Sequence, residues 1–174
     1  RDLHSFPTRR SSDLEPALLI GAPAEKIYSA ITTREGLAGW WTPETKAKAE
    51  LNNVARFGFG PDYFKEMKIT ELKPSGLVKW ICITGADEWI GTTISFELQP
   101  GDKENLLNSH PEVQGQIQQQ RNFDKGTLLI FHHDDWKEYT PMFAECSYTW
   151  AQFLRSLKLL CETGKGKPWP NQHQ

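Results

Sequence analysis

Apolar residues fall at helical spacing over residues 23–33, where Ile27, Ala30 and Ile31 share a face after Pro23 and Gly36 closes the pattern. A short second turn through Leu37 and Ala38 leads into Trp40 and Trp41. From there the period changes to the alternation of strands. Strand-like runs occupy 54–59, 63–72, 78–84, 88–98 and 127–133, separated by Gly-Pro, Pro-Ser-Gly, Gly-Ala-Asp and Pro-Gly-Asp breaks. Within them Trp80, Cys82 and Thr84 share one face. Ile90, Thr92, Ile94, Phe96 and Leu98 oppose Trp89, Gly91, Thr93, Ser95 and Glu97, so one side of the predicted sheet is apolar.

The last element is the clearest. Thr140 is placed to cap, Pro141 fits a first turn, and Phe143, Cys146, Trp150, Phe153, Leu154, Leu157 and Cys161 recur every three or four residues until Gly164. This predicts a long amphipathic helix whose aromatic stripe covers the apolar sheet face. The segment 104–125 interrupts the order with polar, Gln-rich sequence where a short hairpin loop would suffice. Ser109 and Glu112 read as a capping box, and Val113 and Ile117 lie one turn apart. A short surface helix over 111–121 fits, within what is expected to be a disordered or passive insertion.

The opening RDLHSFPTRRSSDL has no apolar period and matches the translation of a common sequencing adapter. Residues 1–14 are therefore set aside as an artefact expected to be disordered, and the natural start is expected to have been lost. Residues 15–170 are read as one domain, with 171–174 as a tail.

The whole chain carries a net charge of −2. Setting aside Arg1, Arg9 and Arg10 with Asp2 and Asp13 leaves it slightly more acidic, and no Lys/Arg stripe is present to meet a phosphate backbone. Nucleic acid is not an expected partner. No apolar run is long enough to span a membrane, and a cytoplasmic location is expected. Cys82, Cys146 and Cys161 lack metal or redox spacing and read as buried reduced thiols. Nucleophile-elbow, P-loop, dinucleotide and HExxH motifs are absent from the sequence; ETGKGKPW comes after a helix and lacks the Walker spacing. No cofactor is expected.

Candidate chemistry is sparse. His132 and His133 precede Asp134 and Asp135, but alternation puts the two histidines on opposite faces, so a metal site is not expected. His133 lies on the face of Leu129 and Phe131, where it could be a structural histidine or a hydrogen-bonding group aimed into a cavity. Glu145 sits in the first turns of the last helix, either solvated or paired with His133 as an acid-base couple, with Tyr148 three residues on.

The segments APAEKIYSAITTREGLAGWWTPET, EWIGTTISFEL, HHDDW and FAECSYTWAQFLRSLKLLCETGKGKPW, in that order, resemble bacterial members of the family named after the activator of heat-shock protein 90 ATPase. That family lies within the START-like (SRPBCC) superfamily, and the resemblance spans about residues 20–170. It implies an α+β helix-grip fold, a curved antiparallel sheet wrapped around a long C-terminal helix. It also implies a cavity between them that holds apolar small molecules, lipids or polyketide-like compounds. The residues expected to line it are Trp40, Trp41, Phe59, Trp80, Thr92 and Ile94, with Phe131, Phe143, Cys146, Trp150 and Phe153; the same aromatics also serve as core. The leading expectation is binding of an apolar small molecule. The alternatives are a cyclase- or hydrolase-type enzyme using His133, Glu145 and Tyr148, or a co-chaperone-like interaction module with a protein partner docking on 104–125. Two features depart from the family: the longer insertion, and a first strand cut short by the adapter.

Overall fold

A computed structural model describes residues 17–120, 123–138 and 140–174, so the expectation for residues 1–14 lies outside it. Among the described residues seven strands form one curved antiparallel sheet: β1 (Ala17–Ile20), β2 (Thr45–Lys46), β3 (Val54–Gly58), β4 (Phe64–Lys73), β5 (Leu77–Thr84), β6 (Thr93–Asp102) and β7 (Lys125–Asp134). Their spatial order is β1-β7-β6-β5-β4-β3-β2, so the chain runs down consecutive hairpins from β2 to β7 and its first strand closes the far edge. Register shifts between Glu66 and Met67 and between Ile69 and Glu71 interrupt the β4–β5 pairing; such bulges bend a sheet and increase its twist.

Helices α1 (Ala24–Thr32) and α2 (Arg34–Trp40) link β1 to β2, and α5 (Pro141–Thr163) lies against them and the concave sheet face. Gly36 does not end the first helix. Thr33, extended at φ −86° and ψ 152°, ends α1 and caps α2 by accepting the Gly36 N–H at 3.1 Å. Gly36 lies inside α2, where the close approach of α1 leaves no room for a side chain: a Cβ there would stand 2.5 Å from Ala30 Cα. The last helix stops as its sequence predicts, with Gly164 left-handed at φ 82°. Thr140 precedes it, but its side chain makes no cap bond.

The main core fills the concave side. Trp41 stacks between Trp40 and Trp80, with ring centroids 5.8 Å away on either side, and Trp150 of α5 meets Phe131 at 4.6 Å and Trp41 at 5.3 Å. Fully burying one such aromatic contributes on the order of 2–3 kcal/mol, so this cluster is the main anchor between helix and sheet.

Within residues 104–125 the structure corrects the expectation of disorder and bears out a short helical segment after Pro111. They form α3 (Lys103–Ser109), a 3-10 turn (Pro111–Val113) and α4 (Gln114–Gln119), while residues 121 and 122 lie outside the described residues. Leu106, Val113, Ile117 and Phe123 bury against Leu19 and Leu128, making a second core on the other face of β1 and β7. Asp102 caps α3 by accepting the Asn105 N–H at 2.8 Å, whereas the turn that starts at Pro111 follows His110 with no side-chain cap, so Ser109 does not form the predicted capping box. The glutamines cover an edge: the Gln116 amide accepts from Leu19 N–H and donates to the Ala17 carbonyl, both at 2.8 Å, completing the outward hydrogen bonds of β1.

Candidate ligand-binding cavity

Between the sheet and the first half of α5 lies a cavity of about 450 Å³. The helix supplies Met142, Glu145, Cys146, Thr149, Trp150 and Phe153, successive turns of one face. Trp41 comes from the end of α2, Phe59 and Tyr63 from the β3–β4 turn, and Lys65 from β4. Ala86 and Trp89 belong to the β5–β6 connection. After Gly164 the chain folds back. Lys167 N–H donates to Ser156 Oγ at 2.7 Å and Trp169 N–H to the Trp41 carbonyl at 2.8 Å, which brings Trp169 and Gln172 onto the wall. Gln172 Oε1 is buried there and has no hydrogen-bond partner among the described residues.

Trp89 reaches the wall through a turn that strand alternation hides. Residues 88–92 are not strand: Trp89 N–H bonds back to Ala86, Thr92 N–H bonds to Trp89, and Gly91 is left-handed at φ 91°. The predicted run at 88–98 therefore begins only at Thr93. Trp89 is swung inward, 3% exposed, while Ile90 is 38% exposed.

Behind the wall sits a closed polar relay. Trp150 Nε1 donates to His133 Nδ1 at 3.1 Å, and since an indole can only donate, Nδ1 is the bare nitrogen. Nε2 therefore carries the proton and donates to Thr92 Oγ1 at 3.0 Å; Thr92 in turn donates to the Trp89 carbonyl at 2.7 Å. Trp89 Nε1 reaches Cys146 Sγ at 3.1 Å, and Trp136 Nε1 donates to the His133 carbonyl at 3.1 Å. Burial, reinforced by the Lys65 charge, pushes His133 down to about 3, so the ring is neutral at physiological pH.

Lys65 is the cation of the cavity wall. Its Nζ stands 3.1 Å from the Trp89 ring centroid, 5.4 Å from Phe59 and 5.9 Å from Tyr63. Desolvation lowers it to about 8. Burial raises the nearby Cys82 and Cys146 thiols, which keeps both protonated at neutral pH.

The residues expected from sequence divide between wall and core. Trp41, Phe59, Glu145, Cys146, Trp150 and Phe153 reach the cavity. Trp40, Trp80, Thr92, Ile94 and Phe131 are buried without lining it, and Phe143 packs edge-on against Trp136 at 5.3 Å, because the first layer of aromatics closes over the sheet before the cavity begins. His133 is 1% exposed with both ring nitrogens engaged, and Tyr148 is 69% exposed on the outer face of α5, so the structure does not unite His133, Glu145 and Tyr148. Lys65 and Tyr63 are wall residues that sequence reasoning missed, and Trp89 is one that strand alternation placed on the opposite face. The alternation of β4 carried a signal, since Lys65 shares a face with the buried Met67 and Ile69.

Among the described residues no group of three His, Cys, Asp or Glu side chains could hold a metal ion, and no helix is long and apolar enough to cross a membrane. A sheet curved around a C-terminal helix, with an aromatic cavity between them, defines a START-like (SRPBCC) helix-grip domain. Residues 21–147 match the family described as Activator of Hsp90 ATPase homolog 1-like protein, and the chain belongs to that family. The solution structure of the Aha1 dimer from Colwellia psychrerythraea is 32% identical in sequence. It covers 88% of this chain and 98% of its own, with a TM-score of 0.69. Two more distant structures share the fold. Protein MLL2253 from Mesorhizobium loti is 14% identical, covers 85% of this chain and 95% of its own, and has a TM-score of 0.62. CalU16 from Micromonospora echinospora is 16% identical, covers 85% and 73%, and has a TM-score of 0.58. No curated protein matches the chain.

Proposed function

We propose that this protein binds an apolar small molecule in the cavity between the sheet and α5. The observation that carries the reading is a wall of Trp41, Phe59, Tyr63, Trp89, Trp150, Phe153 and Trp169 around about 450 Å³, with Lys65, Glu145, Thr149 and Gln172 as the polar groups between the rings. Ligand sites are commonly about 300–1,000 Å³, mostly apolar, with a small number of polar groups that fix orientation. The enzyme reading finds less support, because His133 has no free nitrogen and a strongly lowered proton affinity. A protein partner on 104–125 is also less favoured, since that segment turns Leu106, Val113, Ile117 and Phe123 inward.

The test is a fluorescence titration with N-phenyl-1-naphthylamine, an uncharged probe that brightens in apolar sites. Thr149 lines the cavity, so Thr149→Trp fills it from a helix position outside the core and should weaken binding at least about tenfold, a step of 1.4 kcal/mol. Tyr148→Trp, one residue away on the exposed face, should leave it unchanged. Equal affinity in all three proteins, or no binding by the wild type, would remove the proposal.

A further inference from the structure

We infer that the ligand of this cavity is an amphipathic anion, an apolar body bearing one acidic head that pairs with the Lys65 ammonium. The inference rests on the binding reading above and narrows it to a chemical class. Its first support is the position of the charge. Lys65 lies on the apolar face of β4, with Met67 and Ile69 next along it inward, and its Nζ opens onto the cavity among Trp89, Phe59 and Tyr63. Its second is the missing counter-ion. No carboxylate among the described residues comes within ion-pair range of Lys65, although Glu145 lines the same cavity, and no hydrogen-bond acceptor among them takes its protons.

The two thiols beside Lys65 do not supply a charge, because burial keeps Cys82 and Cys146 protonated. Lys65 is half-buried, so it keeps part of its hydration, and among the described residues the aromatic faces of Trp89, Phe59 and Tyr63 add about 0.5–2 kcal/mol against the desolvation of the rest. An uncharged side chain of similar length would fill the same space without that cost. An acidic head entering from the cavity would complete the pairing in a site where water is largely displaced, which strengthens a charge-assisted hydrogen bond. The surrounding rings of Trp41, Phe59, Trp89, Trp150, Phe153 and Trp169 would then hold the apolar body, and Gln172, whose buried amide oxygen lacks a partner among the described residues, is an acceptor on the same wall for a hydroxyl or N–H of that body.

Two probes with one skeleton separate the charge from the apolar body: 1-anilinonaphthalene-8-sulfonate, and N-phenyl-1-naphthylamine, which lacks only the sulfonate. In the wild type the sulfonate should bind at least about tenfold more tightly than the neutral probe, as one charged hydrogen bond supplies. In Lys65→Met that advantage should vanish, the sulfonate binding no more tightly than the neutral probe within about twofold, a spread well below one charged contact. Lys65→Arg should retain most of the advantage. If the wild type binds both probes equally, or if a folded Lys65→Met still prefers the sulfonate, the anion inference is overturned while the cavity reading stands. If neither probe binds the wild type, both are overturned. Should Lys65→Met not fold, the wild-type pair and Lys65→Gln decide the question.

Discussion

His133 makes the folded state sensitive to mild acid. Its ring is 1% exposed, accepts from Trp150, donates to Thr92 and is lowered to about 3 from an ordinary 6.5 by burial first and the Lys65 charge second. Below pH 6.5 the unfolded chain therefore takes up a proton that the folded chain refuses. Stability from this group is present at neutral pH and is lost as the pH falls from about 6.5 towards 3. Each unit in that window is worth about 1.4 kcal/mol, so between pH 7.5 and pH 5 His133 alone should remove about 2 kcal/mol. The lowered carboxylates Glu35, Glu71 and Glu112 act at lower pH, which is why the window stops at 5. The assay is urea unfolding at both pH values for the wild type and His133→Gln. The variant should start less stable by about 1–3 kcal/mol, through orphaned Trp150 or Thr92 groups, yet lose about 2 kcal/mol less on acidification. Equal pH slopes in the two proteins would refute the reasoning.

The same packing sets three further outcomes. Lys65→Met should raise stability at pH 7 by about 1–3 kcal/mol in urea melts, because it removes a charge whose desolvation the fold currently bears; a loss would mean the cation–π contacts outweigh that cost. Ile117→Ala should destabilise by about 2–4 kcal/mol, since Ile117 is 4% exposed in the second core, whereas an unpacked insertion would give no change. In a thiol-reagent time course at pH 8, Cys161, buried and pushed up to about 11, should react only on unfolding, and Cys146, on the cavity wall, should react ahead of it.

The fold was legible because its signals are periodic. The stripe from Phe143 to Cys161, ended by Gly164, specifies α5, and alternation through Ile94, Phe96 and Leu98 gives β6 its buried face. The site was half legible for the same reason. Strand and helix periods identify which residues point inward but not how many layers separate them, so Trp80 and Phe131 read like Trp41 and Trp150 although only the latter pair meets the cavity. Trp89 falls on the outward face by alternation because the turn at Gly91 reverses its side. The insertion hides its core because Leu106, Val113, Ile117 and Phe123 are spread through polar sequence, and their partner Leu19 lies far off in the chain. Lys65 escapes notice because a lysine in a strand ordinarily marks a solvated face, even where its neighbours Met67 and Ile69 point inward.

The seven tryptophans provide the most direct test of the cavity, since each indole N–H gives its own signal in a ¹H–¹⁵N correlation spectrum. Titrating N-phenyl-1-naphthylamine should move the indole signals of Trp41, Trp89, Trp150 and Trp169, which line the cavity, and leave Trp40 and Trp136 nearly in place. Shifts confined to Trp40 and Trp136, or to backbone signals of 104–120 with all four cavity indoles unmoved, would contradict the account.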